Sequence, residues 1–223
     1  MPVLRPNTFQ FYACLILQEA TGLRAATLPQ LLQLMRTASE RSIYHHTHAC
    51  LLAQPGISSP VNDFAAWVRD NLGEESLVQA LAAVSPFSHQ KLGTLRDAFV
   101  GLLERHLEAH PASKLAFVPQ GREFAFLESI RVVIPTRWRA ATLEELSQAL
   151  TCASPHVLFC HLVDARWRLR EPANDLAAWM AQLATSEAVA EQVAALNPYA
   201  LGLEESRRSV LALLKSDPTS VPA

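Results

Sequence analysis

The sequence predicts a mainly α-helical protein, a helical domain built from two tandem homologous repeats around a pseudo-twofold axis, with a short strand as an option at the start of each repeat. Three observations predict it. Aligned at a constant offset of 115, residues 9–53 and 124–168 share 13 identities in 45 positions, among them Phe9/Phe124, Phe11/Phe126, Thr21/Thr136, Ser39/Ser154 and His46/His161. The phrase Asn62-Asp63-Phe64-Ala65-Ala66-Trp67 returns as Asn174-Asp175-Leu176-Ala177-Ala178-Trp179. Apolar residues also recur at helical spacing through most of each half, as in Leu92, Leu95, Phe99, Leu102 and Leu103. A self-comparison of this kind weights the residues kept in both copies, because each copy drifts independently.

Taken in order, each copy opens on an apolar segment, Phe9 to Glu19 or Phe124 to Ile134. Phe11, Leu15 and Gln18, with Gly22 as a stop, favour a helix in the first copy. In the second, Phe124, Phe126, Ile130, Val132 and Ile134 also suit a strand, so that segment stays open between the two states. Thr27-Leu28-Pro29-Gln30 and Thr142-Leu143-Glu144-Glu145 then read as capping boxes. Ser39 and Ser154 start a further helix, which carries Ile43 to Leu52 or Val157 to Leu169. After a proline-bearing loop, the Asn-Asp phrase begins a short amphipathic helix, and two more helices complete each copy. The resulting domain plan is a first repeat over 1–110, a linker over 111–122 with one sticky turn at Leu115 to Val118, a second repeat over 123–216 and a disordered tail over 217–223. Both repeats are expected to pack as one globular unit, since two copies of one surface about a twofold are self-complementary.

Composition narrows the function. The chain carries 19 Lys and Arg against 21 Asp and Glu, split as 9 and 9 up to Gln120 and 10 and 12 beyond it. Neither half has the basic surplus that a nucleic-acid or membrane-surface binder needs, so neither partner is expected. No run approaches the ~20 apolar residues of a membrane span, and the first residues lack the apolar core of a signal peptide. A cytoplasmic location is expected. Cys14, Cys50, Cys152 and Cys160 have Ser129, Ala165, Thr37 and His45 as their repeat partners, so no cysteine framework is common to both halves. With 7 glycines in the chain, a phosphate-cradling loop is disfavoured.

Four sets of residues could carry chemistry. In Tyr44-His45-His46-Thr47-His48, regular helical spacing makes His45 and His48 neighbours, and with Asp63 they form a candidate metal set. The second copy has Cys160 and Val163 in place of His45 and His48, so such a site would exist in one half. His46 with Asp63, and His161 with Asp175, are candidate catalytic pairs in which the carboxylate orients the imidazole. The structural alternative is a helix cap and a core histidine bonded to it, and it carries more weight because a folding constraint is kept in both copies as readily as a pocket is. No nucleophile completes a triad, and Trp67 and Trp179 read as core anchors. Tyr44 and the second-copy arginines Arg166, Arg168 and Arg170, with Arg137 and Arg139, are candidates for binding an anionic ligand.

Ser42-Ile43-Tyr44-His45-His46-Thr47-His48, the Asn62-to-Val68 phrase and Ala195-Leu196-Asn197-Pro198-Tyr199 together make the chain resemble a bacterial and archaeal family of uncharacterised proteins, a domain of unknown function. The resemblance spans nearly the whole chain and implies no activity. It departs at Cys160-His161-Leu162, where the second half lacks the family's Tyr-His-His-Thr pattern. The functional expectation is therefore a non-catalytic binding or regulatory module, with its site at the junction of the repeats and an unknown small anionic ligand or protein as partner. The alternative is an enzyme acting on a small polar substrate through a His-Asp pair or a bound metal. No cofactor is identified.

Overall fold

The computed structural model describes residues 8–53, 62–169, 173–183 and 187–216. The loop before Asn62, the tail over 217–223 and Arg170 lie outside the described residues. Two long strands, β1 (Phe9–Ala25) and β2 (Phe124–Ala140), pair as a two-stranded sheet. Among the described residues the α-helices are α1 (Leu28–Thr37), α2 (Glu40–Tyr44), α3 (Cys50–Ala53), α4 (Asp63–Asn71), α5 (Glu75–Ala82), α6 (Leu92–Ala109), α7 (Leu143–Cys152), α8 (Pro155–Phe159), α9 (Ala165–Leu169), α10 (Asp175–Met180), α11 (Glu187–Ala195), α12 (Pro198–Leu201) and α13 (Leu203–Ser216). Single π-turns, His45–Ala49 and Cys160–Asp164, join α2 to α3 and α8 to α9.

The expected fold class is corrected by these strands. A mainly α-helical domain of two tandem repeats about a pseudo-twofold axis, with at most a short strand per repeat, does not describe a chain whose sheet takes 17 residues from each opening segment. The helix reading of Phe9 to Glu19 failed for a physical reason. Much of β1 beyond Cys14 is exposed on both faces, so apolar and polar residues do not alternate cleanly and the spacing of Phe11, Leu15 and Gln18 imitates a helix. Gly22, read as a helix stop, sits inside the strand at a φ of 78°, a backbone shape that glycine adopts without cost.

The chain divides into two compact units, a central one of Ile16–Ile130 and a terminal one of Met1–Leu15 with Arg131–Ala223. Each unit therefore takes its Phe-x-Phe from the opposite half of the sequence. In the central unit Phe124 and Phe126 are buried with Phe64, Phe99, Leu95 and Leu103 from α4 and α6, and with Leu28, Leu31 and Met35 from α1. Phe64 stacks on Phe124 at 5.1 Å between centroids. In the terminal unit Phe9 meets Trp179 of α10 at 5.6 Å, and buried Phe11, Phe159 and Leu176 belong to the same unit.

The threonine and asparagine caps and that of Ser39 follow the sequence, whereas Ser154 precedes α8 without a side-chain cap bond. Thr27 Oγ1 accepts from the Gln30 amide while Gln30 Oε1 accepts from the amide of Ala26, one residue before the cap. Thr142, Glu145 and Ala141 repeat the arrangement. Asn62 caps α4 through the Ala65 amide and sends its Nδ2 to the Leu81 carbonyl of α5, both at 2.9 Å. Asn174 does the same with Ala177 and with Val193 of α11. Each asparagine thus fixes the start of one helix against the next and leaves the following aspartate free to face elsewhere.

Candidate functional site

The π-turn at His45–Ala49 sets the geometry of the histidine cluster. Widening one turn by a residue rotates the side chains that follow it, and all five residues of the turn are buried. On a regular helix His45 and His48 would be neighbours. Here His48 stacks on Tyr44, with centroids 4.9 Å apart and planes within 12°, and its Nδ1 lies 2.6 Å from Thr47 Oγ1. His45, His46 and Asp63 are the group that comes together, with one candidate ligand atom from each within 4.8 Å of the others.

His46 is committed at both nitrogens. The Leu127 amide of β2 donates to His46 Nε2 at 3.0 Å, so Nε2 is the lone-pair nitrogen and the ring proton resides on Nδ1, from where it is donated to Asp63 Oδ2 at 2.8 Å. A metal on Nδ1 would move that proton to Nε2 and set it against the Leu127 N–H, because a ligating imidazole keeps its other nitrogen as a donor. The donor set has the composition of a divalent-cation site, but His46 in this hydrogen-bonded state does not fit the group.

The terminal unit repeats this relay. The Tyr12 amide of β1 donates to His161 Nε2 at 2.9 Å, and His161 Nδ1 donates to Asp175 Oδ1 at 2.9 Å. A second side chain acts two residues along each strand. His156 Nδ1 donates to the Cys14 carbonyl at 3.1 Å, and Arg41 Nε reaches the Ser129 carbonyl at a longer 3.5 Å. Arg41 and His156 occupy equivalent positions in the two halves, as do His46 and His161. In both units a helix thereby offers one acceptor and one donor to successive outward-facing residues of a strand, as a third strand would. Side chains standing in for a strand satisfy an open sheet edge.

His45 carries a different contact. Its Nδ1 lies 2.9 Å from Ser129 Oγ, with Ser129 4% exposed. Burial, with the neighbouring His46 adding to it, pushes the His45 pKa down to about 4, so the ring is neutral at pH 7. The equivalent pair in the other half is Cys160 with Cys14, both buried, and burial raises both thiols, Cys14 to about 12. Ser129 was not singled out in the sequence. The signal for it is the pairing of His45/Cys160 with Ser129/Cys14 at the same offset, visible once both changes are read together.

The arginines are engaged separately rather than gathered. Arg168 bonds Asp175 Oδ2 at 2.7 Å, and its Nε lies 4.0 Å from Asp164 Oδ2. Arg131 takes the other oxygen of Asp164 at 2.7 Å, and that carboxylate is 1% exposed. Two guanidinium groups and two carboxylates form a balanced chain that ends on His161. Arg166 donates to the Ala194 carbonyl near the end of α11, and its burial lowers the guanidinium pKa. Arg139 binds Gln10, and Arg137 lies over Trp138 at 4.8 Å. Trp67 and Trp179 are buried, and Trp67 Nε1 donates to the Arg122 carbonyl at 2.8 Å.

Among the described residues no helix is long and apolar enough to cross a membrane. The model of a family described as a family of unknown function, DUF5752, matches residues 6–215. No curated protein matches the chain. The solved structure of OrfY from Thermoproteus tenax is similar, with 23% identity, 96% of each chain covered and a TM-score of 0.78. At that identity the likeness shows the fold alone.

Proposed function

We propose that this chain, which belongs to the DUF5752 family, is a non-catalytic binding or regulatory module. The observation that carries this reading is the doubly committed imidazole. His46 and His161 each accept a backbone amide at Nε2 and donate to a carboxylate at Nδ1, so neither has a nitrogen left to take a proton from a substrate. The arginines support a protein partner over a small anion, because Arg168 is matched by Asp175 and Arg166 is turned onto a carbonyl.

One observation favours an enzyme instead, the Ser129 hydroxyl against the neutral His45 imidazole. A single experiment separates the readings: intact mass spectrometry of the purified chain, before and after treatment with a fluorophosphonate and with a chelator. The module reading expects no covalent adduct and no mass that chelation removes. A stoichiometric adduct on Ser129, or a chelator-labile metal, would overturn it in favour of the enzyme.

A further inference from the structure

The edge protection described above is incomplete at one place. Tyr12 and Cys14 turn their backbone groups outward, and the period of two along a strand carries that direction to Ile16, Gln18 and Ala20. Among the described residues no side chain hydrogen-bonds the backbone of these three. The corresponding stretch of β2, in the terminal unit, is guarded by another means. By the same period Pro135 follows Leu127 and Ser129 on the outward positions and has no amide hydrogen to offer, and Arg131, Arg137 and Arg139 flank it with charge. Ile16 to Ala20 has no proline and a single charge, Glu19.

The side chains there are also open. Leu17 is 55% exposed, well beyond what a residue in the middle of a paired strand needs. Glu19 and Glu128 share one guanidinium, that of Arg41, at 3.8 and 3.7 Å. Two carboxylates against one cation leave a net negative charge beside the open edge.

We propose that the β1 edge over Ile16–Ala20 binds an extended segment of a partner protein, added as a third strand, with an apolar side chain beside Leu17 and a lysine or arginine beside Glu19. The inference rests on the binding-module reading and supplies its partner class. Main-chain hydrogen bonds to the outward groups of Gln18 and its neighbours give affinity in this mode, and the flanking side chains give selectivity. The surplus charge at Glu19 and Glu128 selects a basic segment over an acidic one.

The test uses the full chain and a dye-labelled heptapeptide of alternating threonine and valine with one central lysine, followed by fluorescence anisotropy. Binding is expected, weakened about tenfold or more by Gln18→Pro, which removes the outward amide, and similarly by Glu19→Lys. Glu19 is exposed, so E19K keeps the test valid should Q18P fail to fold. A peptide with central glutamate is expected to bind E19K in preference to the parent. No measurable binding, or equal binding to the parent and E19K, overturns the proposal. So does a concentration-dependent dimer of the parent, seen by sedimentation, that either substitution abolishes, since the occupant would then be a second copy. Failure here with no adduct or metal in the intact mass leaves the module reading standing.

Discussion

Replacing His46 with leucine tests the relay directly, because leucine keeps the bulk of the imidazole and removes both hydrogen bonds. The ring packs at 4.7 Å from Phe124 and 5.4 Å from Phe64, contacts that leucine largely preserves. The Leu127 amide would lose its acceptor next to a side chain that is 3% exposed, a loss of about 1–3 kcal/mol for an unsatisfied buried donor. Asp63 is 38% exposed, so water replaces its partner and that loss stays below about 1 kcal/mol. The sum is about 3 kcal/mol, which for a unit of this size lowers Tm by about 10 °C. Differential scanning calorimetry reads the shift, and amide hydrogen exchange at Leu127 reads its local origin. Asp63→Asn, as a control, is expected to cost less than about 1 kcal/mol. A His46→Leu protein that melts within about 2 °C of the parent, with the Leu127 amide as protected as before, would refute the clasp and return His46 to the catalytic candidates.

Two further outcomes are expected. Because burial holds the folded pKa of His45 at about 4 against an ordinary 6.5, the unfolded chain binds more protons between those values. Stability is then fully present above pH 6.5 and declines as pH falls toward 4, by about 3 kcal/mol in all. Urea titrations across that window should show the slope in the parent and a shallower one in His45→Gln; equal slopes would sink the assignment. Cys152 is exposed while Cys14, Cys50 and Cys160 are buried with raised pKa values, so an aromatic disulfide reagent should release one equivalent quickly from the folded chain. A second rapid equivalent would show that one of the buried thiols is reachable.

The parts of this structure that local chemistry dictates were legible in the sequence. Thr27 and Thr142 cap their helices, Asn62 and Asn174 cap theirs, and both tryptophans are buried. The His46–Asp63 and His161–Asp175 pairs were visible because the chain states the same pair of residues once in each half. The π-turn was not legible. A one-residue insertion in a helical ladder leaves no compositional mark, so the spacing of His45 and His48 suggested a neighbour relation that the backbone undoes. The first strand was hidden by its exposure, which removes the alternation that a half-buried strand would show, whereas the period of two from Phe124 to Ile134 kept a strand open as a reading of the second, without its 17-residue length. The arginines misled by proximity in sequence: Asp164 is the helix neighbour that the run itself supplies to Arg168, but the closer partners Asp175 and Ala194 are set by packing.

The exchange of Phe-x-Phe segments also orders events on the ribosome. Helices of the first half emerge early, yet the acceptor on His46 must wait for an amide 81 residues downstream, so the central unit closes only after β2 has been made. The amide of Tyr12 waits longer, for a ring 149 residues away. Of the two strands the first-made is thus the later to be completed, since Phe9 and Phe11 lack their ring partners His161 and Trp179 until those residues have been made. Contacts of such high sequence separation slow folding and lengthen the time during which a nascent strand can pair wrongly. Nascent-chain lengths just short of α10 are where association with chaperones should peak.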